Sequence, residues 1–281
     1  MKKISLLPLL FLFLVFGCSS DDDNTIEAPL TSQEILNVAY GSDTQQTIDV
    51  YLPEGRNEES TKVIVLIHGG SWVAGSKQDM SFLIPTIQSS FPDYAIVNIN
   101  YRLADDESPA YPMQINDIEQ MFTFLEDSDY HISDDYALIG VSAGAHLSML
   151  YSYKHDTDHD VKAVVDIVGP ADFTDPNYTT HPLYSQAALT LTGTATPTSE
   201  QIAEVNPVAY ITAQSPPTLS FYGGQDPLVP ATQGGLLQES LNNSGVYNEF
   251  NFYPDGGHAD WNFEIMQEVF GKTILFLQEN F

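Results

Sequence analysis

Residues 136–144 read Tyr-Ala-Leu-Ile-Gly-Val-Ser-Ala-Gly, and the way this stretch must bend decides the fold. Tyr136 to Val141 is a short apolar run, as expected of a strand buried on both faces. Ala143 to Tyr153 follows with Ala, His, Leu, Ser and Met, a helix that begins without an intervening loop. A strand running straight into a helix makes a sharp turn at Ser142, and such a turn tolerates only small neighbours. Gly140 and Gly144 stand at those two places. G-x-S-x-G in this setting projects a serine Oγ above the end of a sheet with a helix N-terminus behind it. Ser142 is therefore the candidate nucleophile.

Outward from this turn the same alternation repeats. Thr47 to Leu52 alternates with period two, and Asn37 to Gly41 is its expected pairing partner. Lys62 to His68 contains Val-Ile-Val-Leu-Ile, a continuous apolar run. Tyr94–Asn100, Val161–Val168, Thr218–Tyr222 and Glu249–Tyr253 are further short strands. Between them, Gln114 to Glu126 carries Ile115, Ile118, Met121, Phe122 and Leu125 at helical spacing. Gln233–Asn242 and Phe263–Gln278 are the other helices. Strand–helix alternation over this length predicts an α/β protein with a doubly wound, mostly parallel sheet. Residues 172–216, rich in Pro, Thr and Asn, break the rhythm and are expected to insert a small helical lid.

A nucleophilic serine needs oxyanion donors and a base. His68-Gly69-Gly70-Ser71-Trp72 follows the Lys62–Ile67 strand directly, and its glycines let backbone N–H groups face a substrate oxygen. Gly69, Gly70 and Ala143 are the candidate donors; which of the two glycines donates stays open. Of seven histidines, His258 follows the last strand on the loop Gly256-Gly257-His258, where a general base belongs. His68 and His146 read as structural; His155 and His159, at i, i+4, could chelate a metal if helical, but their Asp-rich surroundings favour a solvated loop. Asp226, after the penultimate strand, is the carboxylate expected to orient His258, with Asp172 as the reserve candidate. The chain order Ser142, Asp226, His258 is that of one known class of serine hydrolases. Imidazole suits base and acid roles because its charge changes near neutral pH.

Composition narrows the partners. Nine Lys and Arg against 38 Asp and Glu give a formal charge of −29 over 281 residues. So few basic residues cannot track a phosphate backbone, so nucleic acid is excluded as a partner, and anionic substrates are disfavoured by the sign of the field. With 43% hydrophobic residues, 15 Tyr and 15 Phe, the chain has material for a packed core. The lone cysteine, Cys18, excludes an intramolecular disulfide.

The N-terminus reads as an address. Met1-Lys2-Lys3 precedes the apolar run Ile4 to Phe16, which is too short for a comfortable membrane span and has the flanks of a secretory signal. The run ends Val15-Phe16-Gly17-Cys18, which resembles a bacterial lipobox. Residues 1–17 are then a signal peptide, Cys18 the lipidated first residue of the mature chain, and residues 18–34 an acidic flexible tether. Residues 35–281 form one domain. The expected location is the bacterial cell envelope, lipid-anchored in the outer membrane and facing the periplasm or the surface.

Four motifs carry a resemblance: Asn37-Val38-Ala39-Tyr40-Gly41, His68-Gly69-Gly70-Ser71-Trp72, Asn100-Tyr101-Arg102-Leu103 and Gly140-Val141-Ser142-Ala143-Gly144. Together they resemble the α/β-hydrolase superfamily, in particular its carboxylesterase branch of feruloyl/acetyl esterase-like and hormone-sensitive-lipase-like enzymes. The resemblance covers residues 35–281 and implies Ser142 as nucleophile, His258 as base, Asp226 as its orienter, and structural roles for Arg102 and Asp117. It implies hydrolysis of neutral short-chain acyl or carbohydrate esters with no metal or organic cofactor. Two positions depart from the pattern: Ser71 replaces the third glycine of H-G-G-G, and Ala145 the second glycine of S-A-G-G. The N-terminal cap of hormone-sensitive-lipase-like enzymes is missing, so acyl-pocket walls do not transfer. Trp72, ahead of Tyr101, Tyr184 and Tyr222, is the aromatic assigned to the substrate wall. Amide hydrolases of the kynurenine-formamidase type share H-G-G-x-W, and prolyl-oligopeptidase-like peptidases share the triad. A non-catalytic binding protein of this fold would be expected to lack a triad member, and all three are present.

Overall fold

The computed structural model describes residues 30–281. The expected signal peptide, Cys18 and most of the expected tether lie outside the described residues. Eight strands form one sheet: β1 (Gln33–Ala39), β2 (Thr47–Leu52), β3 (Val63–Ile67), β4 (Ala95–Ile99), β5 (Tyr136–Val141), β6 (Val161–Ile167), β7 (Thr218–Gly223) and β8 (Asn248–Tyr253). Their order is β1-β2-β4-β3-β5-β6-β7-β8. β1 and β2, and β2 and β4, pair antiparallel; every pairing from β4 to β8 is parallel. Strand succession reverses between β3 and β5, which makes the carboxyl ends of these two strands the topological switch point where such folds place ligands.

The sequence pattern explains the layering. β3 and β4 are buried at every residue, because helices cover both faces of a parallel sheet. One face packs on α2 (Ala110–Glu126), α3 (Ala143–Leu150) and α7 (Thr232–Ser244), through residues such as Ile118, Leu147 and Leu237. The other packs on α1 (Ile84–Ser90) and α8 (Phe263–Asn280), through Ile87, Val269 and Phe276. The doubly wound α/β sheet is thus as expected from sequence.

Residues 172–216 contain three short helices, α4 (Pro176–Thr179), α5 (Tyr184–Thr192) and α6 (Ser199–Glu204), and a 3-10 turn over Pro207–Tyr210. Tyr178, Leu191, Ile202 and Val205 are buried in the same core as α2. This insertion is anchored to the domain by apolar packing rather than standing away from it.

Two elements differ from the sequence reading. β1 begins at Gln33, before the expected Asn37, and a bulge between Ile35 and Val38 keeps it in register with β2. A 3-10 helix over Lys77–Leu83 runs directly into α1, where no helix was expected. Its signal is legible afterwards: a Ser76/Asp79 capping box, then Met80, Leu83, Ile84 and Ile87 at i, i+3, i+4 and i+7. Lys77, 1% exposed, ties this segment to the sheet through Asp49 at 2.5 Å and Asn37 at 2.9 Å.

Candidate active site

At the end of β5 the backbone turns on Ser142, whose φ of 55° and ψ of −118° place it in a left-handed region that a non-glycine residue rarely enters. Such a conformation costs on the order of 1–3 kcal/mol and persists only where the surroundings impose it. Here Ser142 N–H donates to Ile167 O at 2.8 Å, and Ser142 O accepts from His146 N–H at 3.0 Å. The flanking glycines are sterically required. A Cβ on Gly140 would stand 2.4 Å from Gly144 O, and one on Gly144 would stand 2.1 Å from Ile67 O.

Loops from the carboxyl ends of three parallel strands meet at this serine. His258, on the loop after β8, holds its Nε2 2.8 Å from Ser142 Oγ. Its Nδ1 lies 2.7 Å from Asp226 Oδ2, on the loop after β7. The Asp226 side chain is 1% exposed, and its other oxygen accepts the N–H groups of Leu228 and Val229 at 2.8 and 3.0 Å. The carboxylate is thus held from both sides, one oxygen by its own loop and the other by the imidazole. Trp261 Nε1 donates to Gly257 O at 2.9 Å and braces the His258 loop.

The loop after β3 brings Gly69 against the serine. A Cβ there would meet Val141 O at 2.8 Å and Ser142 Cβ at 3.2 Å. Among the described residues no hydrogen-bond acceptor serves the amides of Gly69, Gly70 or Ala143. The carbonyls of this loop are held instead. Tyr101 O–H donates to His68 O at 2.7 Å, and the His68 ring nitrogen Nδ1 bonds Gly69 O at 2.6 Å. A trans peptide points its N–H opposite its carbonyl, so fixing those two oxygens orients the Gly69 and Gly70 amides. Ser71 and Trp72 continue the loop with φ of 52° and 65°. Unsatisfied donors beside a hydroxyl that is bonded to an imidazole can stabilise an oxyanion formed when that hydroxyl attacks a carbonyl.

Two cavities open beside Ser142. The larger, about 390 Å³, has Gly69, Gly70 and His258 in its wall, with an apolar floor that includes Met80, Phe82 and Phe270. The smaller, about 150 Å³, lies between the Trp72 loop and α5.

The remaining candidates fall elsewhere. Trp72 is 4% exposed; its indole donates to His146 Nδ1 at 3.2 Å, and its carbonyl accepts from Gln114 Nε2 and from Ala104 N–H. It borders the smaller cavity while serving mainly as a cross-tie. Tyr101 and Tyr222 are buried, and Tyr184 O–H is turned to Phe173 O. His146 also bonds Val205 O, and burial pushes its pKa down to about 4, so it stays neutral. Burial likewise lowers the pKa of His68. Asp172 is held by Thr174 and Asn206, and its carboxylate makes no bond to His258. Arg102 forms a multiple hydrogen-bonded pair with the fully buried Asp117, in keeping with a structural role. Among the described residues no group of three or more His, Cys, Asp or Glu is arranged to hold a metal ion, and His155 and His159 are not brought together with such ligands.

Sequence reasoning missed the apolar wall of the larger cavity. Met80, Phe82 and Leu83 come from the 3-10 segment before α1, and Met266 and Phe270 from α8. The helical spacing in residues 80–87 was the available signal; the approach of α8 to that segment was not visible in either stretch.

Known proteins agree with this architecture. A truncated carbohydrate esterase from gut microbiota superposes with a TM-score of 0.73 at 22% identity, over 89% of this chain and 96% of that one, which speaks to the fold. In sequence, the esterase LipC of Mycobacterium tuberculosis is 24% identical over 220 residues, 73% of this chain and 54% of LipC. A kynurenine formamidase of Danio rerio is 28% identical over 138 residues, 49% of this chain and 45% of that enzyme. The chain spans about half the length of the curated relatives it matches. The BD-FAE family model matches residues 48–241, a span holding Gly69, Gly70, Ser142 and Asp226 but ending before His258. With an α/β-hydrolase sheet and a match over more than half its length, the chain belongs to the BD-FAE family.

Proposed function

We propose that this protein is a serine hydrolase cleaving carboxylic esters of neutral alcohols or carbohydrates. The observation that carries the reading is the unbroken chain from Ser142 Oγ through His258 to Asp226, at 2.8 and 2.7 Å, beside amides that find no acceptor among the described residues. His258 Nε2 takes the Ser142 proton as Oγ bonds the ester carbonyl carbon. The carbonyl oxygen becomes an oxyanion facing the amides of Gly69 or Gly70 and Ala143. The tetrahedral adduct then expels the alcohol, which receives the proton from His258. Water repeats the cycle on the acyl-enzyme: it loses a proton to His258, attacks the carbonyl carbon and releases the acid and Ser142. Asp226 keeps the imidazole in the productive tautomer and stabilises its cation. The chemistry calls for no cofactor.

Ser142→Ala should abolish hydrolysis of p-nitrophenyl acetate and labelling by a fluorophosphonate while the melting temperature stays within a few degrees. Asp226→Asn should lower kcat by about 10²–10⁴-fold, with Asp172→Asn near wild type. Retained turnover in Ser142→Ala would refute the assignment. The kynurenine formamidase similarity favours one second reading, cleavage of an amide or formamide by the same residues. An acetanilide compared with the matching phenyl acetate separates the two.

The leader supports a cellular setting. Lys2, Lys3, the apolar run and Gly17-Cys18 support export and lipidation at Cys18, which would hold the hydrolase at the bacterial envelope.

A further inference from the structure

The two cavities meet at the serine: Ser142, Ser71 and Leu228 border both. His258 and Ala259 lie in the wall of the larger one only. The smaller is walled by α5, through Gln186, Ala187 and Thr190, and by Leu183 just before it, against the buried rings of Trp72 and Tyr178. We propose that the smaller cavity receives the acyl group and the larger the leaving alcohol, so that the protein acts on short acyl groups carried by bulky, largely apolar alcohols. This rests on the serine hydrolase reading above.

Proton geometry fixes the orientation. When the tetrahedral adduct collapses, the bond from the carbonyl carbon to the alcohol oxygen breaks, and that oxygen takes the proton held on His258 Nε2. It must lie within hydrogen-bond reach of Nε2, so the alcohol departs on the side that His258 lines. The carbonyl carbon is then bonded to Ser142 Oγ, and its remaining substituent, the acyl chain, lies across the serine in the other cavity. Volume sets the chain length. At about 150 Å³ the smaller cavity is below the roughly 300 Å³ at which pockets for drug-sized ligands begin. It fits a few methylenes, whereas an acyl group bearing a substituted ring, such as feruloyl, would have to displace α5. The larger cavity, about 390 Å³ and floored by Met80, Phe82, Met266 and Phe270, takes a ring-sized alcohol.

The test uses two ester series on the purified protein. One varies the acyl chain from acetate to octanoate, plus ferulate, on p-nitrophenol; the other varies the alcohol of an acetate from methyl to 4-methylumbelliferyl and 1-naphthyl. For the wild type, kcat/KM should fall about tenfold or more between butyrate and octanoate, with ferulate poorer still, and should hold or rise with alcohol size. Ala187→Trp should cut butyrate turnover about tenfold relative to acetate and leave the ratios of kcat/KM within the alcohol series as they are in the wild type. Thr190→Ala, which enlarges the same cavity, should move the optimum toward hexanoate. Phe82→Ala, at a side chain 59% exposed, should raise KM for 1-naphthyl acetate several-fold without changing the acyl profile. A melting temperature within a few degrees of wild type shows each variant to be folded; should Ala187→Trp fail to fold, Thr190→Ala carries the same test in the opposite direction. If Ala187 and Thr190 variants change the alcohol series and Phe82→Ala the acyl series, in an enzyme that still depends on Ser142, this inference alone is overturned. Turnover that survives Ser142→Ala overturns the hydrolase reading and this inference with it.

Discussion

Gly69 shows how little freedom the site allows a single residue. Its α-carbon lies so close to the turn that a methyl group would meet Val141 O at 2.8 Å and Ser142 Cβ at 3.2 Å. Val141 O belongs to the peptide that leads into Ser142, and Ser142 is itself strained at φ 55°, so neither can yield cheaply. Gly69→Ala is expected to push the loop off the serine and lower kcat by about 10²–10³-fold, the usual effect of losing one oxyanion donor. KM for a short ester should change far less, because the apolar cavity walls remain. An equal loss in KM with kcat preserved would mean that the loop binds ground-state substrate instead. Strain of this kind gathers around the site: Ser71, Trp72, Ser142 and Ala259 all have φ between 52° and 65°. Local sequence gives little warning of it, since only surrounding packing can hold such residues there.

β6 carries the most consequential buried charge among the elements behind the site. Asp166 is fully buried and pairs with no cation among the described residues; it accepts from Gly169 N–H at 2.8 Å and Tyr222 O–H at 2.7 Å. Burial raises its pKa to about 7, against the partial relief from those two donors. The sign follows directly. A carboxyl whose folded pKa exceeds its unfolded value binds a proton more tightly when folded, so its contribution is complete below about pH 4 and is lost as pH climbs toward 7. Across that window the slope is at most about 1.4 kcal/mol per pH unit. Asp166→Asn keeps an acceptor for Gly169 N–H and offers Tyr222 a donor, leaving Tyr222 O–H free for Gly169 O at 2.6 Å. The variant should match wild type in thermal stability near pH 4, exceed it progressively up to about pH 7 and hold a constant difference above that, as read by melting curves across that range. A pH-independent difference would contradict the assignment. α3 and β6 share this region, since a Cβ on Gly169 would touch both Asp166 and Ala145.

For the whole molecule, the charge of −29 and the leader both bear on where and on what it acts. An acidic surface repels anionic esters and tolerates neutral ones, the class the apolar cavities suit. Lipidation would confine that activity to a membrane surface. Metabolic labelling of the expressed full chain with an alkyne fatty acid should tag the protein and be lost in Cys18→Ser; label persisting in that variant would remove the anchor proposal while leaving the hydrolase intact.

How much of this was legible in the chain depends on how local each cause is. The strand-to-helix turn at Ser142 needs Gly140 and Gly144 beside it, and strands buried on both faces need continuous apolar runs, so a mostly parallel sheet could be read directly from Tyr136–Gly144 and Val63–Ile67, while the strand order and its switch point came only with the fold. Ser142, Asp226 and His258 could be named because each follows a strand, yet their distances come from three loops separated by up to 116 residues. The full set of cavity aromatics was beyond the sequence: Trp72, which could be named, borders the smaller cavity, while Phe82 and Phe270, 188 positions apart, pack at 5.9 Å to wall the larger one. A chain carries the conformational demands of each turn and the burial demands of each strand, because those act over a few residues. The shape of a cavity is a difference between packed surfaces of distant elements, and only the folded structure sets it.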